Sequence, residues 1–586
     1  MLSDTSKVSD NILLKANFQV KLFIVSLSSK KNKINQKVKL TIMNLGNTKI
    51  GYQLLLGLFI LIFAQEAFAQ PKWVRATYRD DPSTTLSLGW TGIVGTVYYD
   101  TINHGTNYTA YNLTKTIDRS TNHKGNNHHF VRLTNLQPGT VYYFVIQHGA
   151  SSVSAQYSFR TISDDPNQAI SFISGGDSRQ RVNVFGVGDP SCWGDGCRET
   201  RQDLNRIVGR IRPDFVAFTG DYIRNYDIFP FDSEDDWAEW MDDWDLTNGP
   251  DGRITPIIHA LGNHEDAVDL DQLFDVSNAD IYYATNFGGN LFRLYTLNSE
   301  PSDACTDVIQ KNWLLNDLQQ NSTPSNTPYW KIVQYHQPMV PHAEYSARTD
   351  LINCWASEFA TYGVRLACES HTHVLKTTYP LKYDASAATS YNNLVRDDSI
   401  GAVFLGDGSW GAPPRAAYAP IPNVTQDVEQ ISGFFFVNIN QQRIQIKTVV
   451  PFPDSMVNVP QLLDDDQGTL LPAGVPLWRP VNGSTCIIIP NYSPVLAVNK
   501  VTVPRTPAAI VAPNPAQEYV TVRFKEVLTE AVTIEIYDAR GKRCQSHTNV
   551  KDQNFKVDVS NLCSGVNFIN IVTKKDVESH KVVIVK

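Results

Sequence analysis

Residues 71–161 alternate short β-type runs with turn signals: ATY, TLSLGW, GTVYYD, HHFVRL, TVYYFVIQ and QYSFRT. Alternation at this spacing predicts a small antiparallel sandwich over 70–162, since each run can bury one face and expose the other. Asp164-Asp165-Pro166-Asn167 reads as a linker. From 168 to 450 the pattern changes. AISFISGGD is an apolar run ending in glycines, and residues 199–212 set Leu204, Ile207, Val208 and Ile211 at helical spacing. Pro213 stops that helix, and FVAFTGD follows as the next buried strand. ITPIIHALGNH at 254–264 and WKIVQYH at 330–336 repeat the strand pattern. Strand, loop, helix, strand predicts an α/β domain with polar residues at the C-terminal ends of its strands, where open α/β sheets place ligand sites. The run 233–245 puts Trp237, Trp240 and Trp244 on one helical face, predicting a helix packed on this domain. Residues 451–505 are Pro-rich and read as a connector. VTVRF, VTIEIYDARGK, FKVDVSNLCSGVNFINIVT and KVVIVK then predict a second all-β module over 506–586.

The apolar run 54–63, LLLGLFILIF, is too short to span a bilayer comfortably. Lys49 precedes it and Ala67-Phe68-Ala69 follows, the flanks of a secretory signal peptide. Met43 begins a leader of ordinary length, so 1–42 is expected to come from a misassigned start. On this reading 43–69 is the signal peptide, and the mature chain, without a stable membrane span, starts at Gln70. Residues 1–69 carry nine Lys, no Arg and three acids, so the −8 of the whole chain becomes −14 for the 517 residues from Gln70. That charge argues against a nucleic-acid partner, which selects a basic face. All eight cysteines lie in the exported part, where disulfides form. Cys192 with Cys197, and Cys544 with Cys563, are close enough in sequence to pair; the connectivity as a whole is not fixed by spacing.

Five segments concentrate the chemistry: Gly176-Asp177-Ser178-Arg179, Gly220-Asp221-Tyr222, Gly262-Asn263-His264-Glu265, Tyr335-His336-Gln337-Pro338 and Ser370-His371-Thr372-His373. The first four each follow an apolar run, so their polar groups fall at strand ends. Asp, Asn and His supply hard-to-borderline oxygen and nitrogen donors, suited to Fe, Zn or Mn.

In this order the segments resemble the motifs of the calcineurin-like metallophosphoesterases, and with the N-terminal module the chain looks most like their purple acid phosphatase branch. Trp90 and Leu133-Thr134-Asn135-Leu136-Gln137-Pro138-Gly139-Thr140-Val141-Tyr142-Tyr143 resemble a fibronectin type III signature. Ala512-Pro513-Asn514-Pro515, Tyr537-Asp538 with Gly541-Lys542, Leu562 with Gly565, and the basic end resemble the C-terminal sorting domain of type IX secretion. The resemblance implies a four-layer sandwich of two mixed sheets flanked by helices, with all-β sandwich domains at both ends. It implies two divalent or trivalent metal ions: Asp177 and His373 on one, Asn263, His336 and His371 on the other, and Asp221 bridging. A metal-bridging hydroxide would attack a phosphate ester, His264 would protonate the leaving oxygen, and Glu265 would orient His264. The tail would engage the secretion machinery, placing the protein outside the cell or on its surface by way of the periplasm.

Two departures bear on the site. Many members read Asp-x-His in the first motif, with that His a ligand; Arg179 stands here, and its fork is expected either to bind a phosphate oxygen or to pair with a neighbouring acid. Purple acid phosphatases place an iron-binding Tyr three residues after the second Asp; Arg224 stands there, so a colourless protein is expected. The last motif has Ser370 where the family has Gly. His342 is a further expected substrate contact, His259 an expected core residue, and Gly406-Asp407-Gly408 an expected edge of the site. The leading function is a secreted phosphomonoesterase. A phosphodiesterase or nuclease of the same fold, or a surface binding protein with a vestigial metal site, are the alternatives.

Overall fold

The computed structural model describes residues 20–25, 40–45, 70–179, 196–224, 233–302, 305, 307–387, 391–406, 408–451, 471–472, 474–478, 486–491, 509–528, 530–538, 543–562, 564–573 and 577–585. Of the expected signal peptide, residues 46–69 fall outside them, and among the described residues no helix is long and apolar enough to cross a membrane. The chain divides into two compact units, residues 1–441 with 447–485, and 442–446 with 486–586.

The first unit is built on two mixed sheets. From Phe434–Ile439, one sheet runs through Ile170–Gly175, Phe215–Phe218, Ile257–His259, Lys72–Thr77, Leu86–Thr91, Asn126–Leu133 and Arg119–His123. The three central strands of the α/β pattern, Ile170–Gly175, Phe215–Phe218 and Ile257–His259, are mutually parallel. Their residues are buried throughout, as the apolar runs require of strands covered on both faces. The other sheet runs Tyr283–Phe287, Phe292–Thr296, Trp330–Gln334, Val364–Glu369, Val403–Gly406, Leu375–Thr378 and Thr425–Glu429. Phe172 and Phe215 of the first sheet meet Phe287 and Phe292 of the second: Phe215 stacks on Phe287 at 4.4 Å, and Phe287 on Phe292 at 4.8 Å. Such pairs each add about 0.5–1.5 kcal/mol beyond their buried area, and the Phe215–Phe287 stack joins the two sheets face to face.

Helices cover the outer faces. Gly196–Ile211 buries Leu204, Ile207 and Val208, the stripe its spacing announces, and ends before Pro213. Ser233–Trp244 buries Trp237, Trp240 and Trp244 in the same core cluster as the first sheet. Val308–Gln320 and the helical stretch through Ile352–Ala356 and Ser357–Tyr362 pack on the second sheet. A Cys305–Cys354 disulfide ties the turn before Val308–Gln320 to that stretch. It was not among the expected pairs, whose members Cys192 and Cys563 lie outside the described residues.

The N-terminal β module has two sheets. One joins Gly95–Asp100 and Val141–His148, and the other, Lys72–Thr77 to Arg119–His123, continues the first mixed sheet, with Thr77 beside Ile257 in parallel. The second unit carries a three-stranded sheet (Ala509–Ala512, Tyr519–Phe524, Asn554–Asp558) and a four-stranded one (Arg543–Val550, Val532–Asp538, Gly565–Val572, Val577–Ile584). Val520, Val522, Ile534, Ile536, Val557 and Ile569 form its core, one face of each alternating strand.

Candidate metal centre

All five motifs leave the C-terminal ends of parallel strands. The segments at 176, 220 and 262 follow the three central strands of the first sheet, and those at 335 and 370 follow Trp330–Gln334 and Val364–Glu369 of the second. The centre therefore spans the edges of two sheets. Glycine is needed where the loops converge. Gly220 has a φ of +101°, and a Cβ there would lie 2.9 Å from His336 Nδ1. A Cβ on Gly262 would strike the Asp221 backbone and carboxylate. Four expected ligands sit in the left-handed region themselves: Asp177 (φ 55°), Asp221 (57°), His371 (74°) and His373 (52°). Such conformations cost about 1–3 kcal/mol each and persist only where the surroundings enforce them.

The enforcement is visible. The Asp177 N–H donates to Gly220 O (2.9 Å), and the Ser178 N–H to Asp221 O (2.9 Å). Ser370 Oγ and the His371 N–H both donate to Asp177 Oδ2 at 2.7 Å, so the serine that replaces the family glycine holds the first carboxylate. Trp240 Nε1 donates to Ser178 Oγ (2.9 Å), which donates to Tyr222 O (3.0 Å). Glu265 accepts from the backbone N–H groups of Gly262 (2.6 Å), Asp221 (2.9 Å) and Tyr222 (3.1 Å). Its carboxylate thus locks the second motif to the third, and the expectation that it orients His264 is corrected. Burial, and then the charge of Asp221, push the Glu265 pKa well up.

The six expected ligands converge. His336 Nδ1 donates to Thr219 O (2.9 Å), leaving Nε2 3.1 Å from Asn263 Oδ1, 3.2 Å from His371 Nδ1 and 3.2 Å from Asp221 Oδ1. His373 Nδ1 donates to Pro413 O (3.0 Å), leaving Nε2 3.1 Å from Asp177 Oδ1. Two donor groups result, Asp221 with His336 and His371, and Asp177 with Asp221 and His373, each with its ligand atoms within 4.8 Å of one another. Asp221 belongs to both. Its Oδ2 is buried and accepts no hydrogen bond among the described residues. Its charge is met there by Arg179 Nε at 3.3 Å, and a coordinated metal ion would supply the bond it lacks. Burial disfavours a charged His336, but Asp221, Asp177, Glu300 and Glu265 outweigh it and raise its pKa to about 9. His371 is driven down to about 2 by burial and by the neighbouring His336 charge. The donor set of carboxylate oxygens, imidazole nitrogens and an amide oxygen fits metal ions.

Arg179 and His264 also reach the centre. Arg179 Nε lies 3.3 Å from Asp221 Oδ2, and Nη2 3.4 Å from His373 Nε2. His264 is held by its own N–H on Asp221 Oδ1 (3.1 Å) and by Nδ1 on Arg224 O (3.1 Å), with Nε2 3.8 Å from Asp221 Oδ2. His342 does not reach it. Its ring is wholly buried, Nδ1 donating to Val340 O and Nε2 facing the Thr425 hydroxyl, and burial lowers its pKa to about 4. The expected substrate contact is corrected to a core histidine whose two nitrogens are both occupied. His259 is a core residue, its Nδ1 2.9 Å from Tyr222 Oη. Asp407 lies outside the described residues, but the neighbouring loop matters: the Trp410 N–H donates to Gly176 O and the Ala412 N–H to Asp177 O, both at 2.9 Å. No spacing rule marks Trp410; Ser370 was legible only as a departure from a motif.

Tyr222 directs its hydroxyl to His259 and away from the donor groups, and Arg224 carries no phenol. Protein loaded with ferric iron is therefore expected to be colourless. A visible tyrosinate charge-transfer band in its absorption spectrum would contradict that.

Residues 71–161 match the purple acid phosphatase N-terminal domain, residues 182–375 the calcineurin-like phosphoesterase family, and residues 511–585 the secretion system C-terminal sorting domain. No curated protein matches the chain by sequence. Among solved structures, a purple acid phosphatase from yellow lupin (Lupinus luteus) seeds is 14% identical, with a TM-score of 0.50 over 65% of this chain and 72% of that one. PhoD is 12% identical, with a TM-score of 0.48 over 72% of this chain and 91% of that one. The likeness to the lupin enzyme is one of fold. Residues 182–375 thus carry a calcineurin-like phosphoesterase domain, which supports a phosphoesterase hydrolase and implies the use of divalent metal. More particularly, the chain joins that domain to a purple acid phosphatase N-terminal domain and to a type IX sorting tail, which directs it to the cell surface or the extracellular space.

Proposed function

We propose that the enzyme hydrolyses phosphomonoesters at a two-metal centre. Asp177, Asp221 and His373 hold one ion; Asp221, Asn263, His336 and His371 hold the other. The observation that carries this reading is the place of Asp221 in both donor groups, one oxygen beside His336 and the other buried without a hydrogen bond. Bound there, Fe, Zn or Mn ions would polarise the phosphoryl group and lower the pKa of water. The protein's part is position and protons. Asn263 is exposed at the mouth, while Asp177, Asp221, His336 and His373 lie buried behind it, so an ester enters from the Asn263 side. Arg179 is placed to meet a non-bridging phosphate oxygen, and His264 Nε2 to pass a proton to the leaving oxygen.

Turnover of 4-nitrophenyl phosphate against bis(4-nitrophenyl) phosphate tests the substrate class. The monoester should be the better substrate, and a preference for the diester would favour the phosphodiesterase alternative. The charge of −14 from Gln70 onward is adverse to long polyanions. His264→Ala should lower kcat by about 10²–10⁴-fold on an alkyl phosphate. The loss should be much smaller on 4-nitrophenyl phosphate, whose leaving group departs without a proton. Equal losses on both esters would remove His264 from proton transfer.

A further inference from the structure

We infer that the Arg179 guanidinium is a resident cation of the Asp177–Asp221–His373 group, competing with the metal ion there, so that the two metal positions fill with unequal affinity. This rests on the two-metal reading above. Among the described residues both polar contacts of Arg179 fall on this group: Nε beside Asp221 Oδ2 at 3.3 Å, Nη2 beside His373 Nε2 at 3.4 Å. Those are two of its three donors, and the third, Asp177 Oδ1, is 3.1 Å from the same His373 nitrogen. In the other group His336 Nε2, 3.2 Å from Asp221 Oδ1, faces only Asn263 Oδ1, His371 Nδ1 and that carboxylate, with no guanidinium beside it.

The side chain of Arg179 is 15% exposed, so most of it lies within the centre. A guanidinium stays protonated at any pH the fold survives, so its charge is permanent. Where the family pattern reads Asp-x-His, this chain removes a ligand and adds a positive charge in one substitution. A metal ion entering this position must displace the guanidinium from Asp221 and His373. The Asp221–His336–His371 position has no side-chain cation to displace, only a proton that leaves His336 for solvent, and fills first. The displaced fork is then the one available to a phosphate oxygen, which links occupancy of the second position to readiness for substrate.

Titration of metal-free protein with Mn(II), followed by calorimetry and electron paramagnetic resonance, tests this without reference to turnover. The unaltered protein should show one tight and one weak site, with the spectrum of an isolated Mn(II) ion at the first equivalent and a spin-coupled pair only at higher metal. Arg179→Ala and Arg179→Gln should each tighten the weak site by about 10–100-fold, the range typical of groups adjoining a metal site. Arg179→Lys, which keeps the charge, should leave it weak. Two equal sites in the unaltered protein, or a weak site indifferent to both neutral variants, would overturn the inference while leaving the two-metal reading intact. Absence of metal binding in every variant and in the unaltered protein would overturn that reading, and the inference with it.

Discussion

Asp221→Asn should lower kcat/KM for a phosphomonoester by more than about 10³-fold and cost the enzyme at least one of its metal ions. The size follows from the place of Asp221 in both donor groups: changing a residue that only supports a ligand costs about 10–100-fold, and this carboxylate is shared by two sites. Asparagine is the informative replacement. It retains an acceptor for the His264 N–H, and it tolerates the left-handed φ of 57° better than alanine would. The fold should survive, and the loss is then one of charge and coordination. Steady-state kinetics with elemental analysis of the purified variant measure both. Activity within tenfold of the unaltered enzyme, at full metal content, would remove Asp221 from the centre.

The largest expected stability effect lies beneath the site. Lys376 Nζ donates to Glu369 Oε2 at 2.6 Å and to Val340 O at 2.8 Å, while Glu369 Oε1 accepts from Tyr335 Oη (2.8 Å) and the Met339 N–H (2.7 Å). Both charged side chains are fully buried. The pair thus pins the 335–340 loop that carries His336. Glu369→Leu leaves the ammonium buried and unpaired, which should cost about 3–5 kcal/mol. Replacing both partners, Glu369→Leu with Lys376→Met, should recover much of that loss, because the isolated charge is gone. Urea unfolding of the single and double variants reads the two values. A single variant within about 1 kcal/mol of the unaltered protein would show that water or rearrangement relieves the ammonium.

Much of the centre was legible because strand ends impose a grammar: an apolar run, glycine, then a ligand. That pattern marks Asp177, Asp221 and Asn263; His336 follows an apolar run without a glycine, His371 and His373 are marked by the resemblance of their motif to a family pattern, and the structure brings those six together. What spacing does not carry is orientation. His342 lies in the loop after His336, yet the chain turns it inward onto Thr425 and Val340. Glu265 follows His264 in sequence but bonds the Asp221 loop, since its acceptors face three convergent N–H groups. The left-handed conformations of four ligands are likewise tertiary facts, imposed by Ser370, Trp410 and the Gly220 approach. Strand alternation in the N-terminal module reports which face is buried, and says nothing of which neighbour pairs along an edge such as Lys72–Thr77, where Thr77 lies beside Ile257. The Cys305–Cys354 bridge joins residues 49 apart, beyond any local pairing argument.

The most direct test of the account is a crystal of the enzyme grown with Mn(II) and measured for anomalous scattering at the metal edge. Two peaks are expected, one on each side of the Asp221 carboxylate, with the peak beside Asp177 and His373 the less occupied of the two. A map without a peak in contact with Asp221 would contradict it.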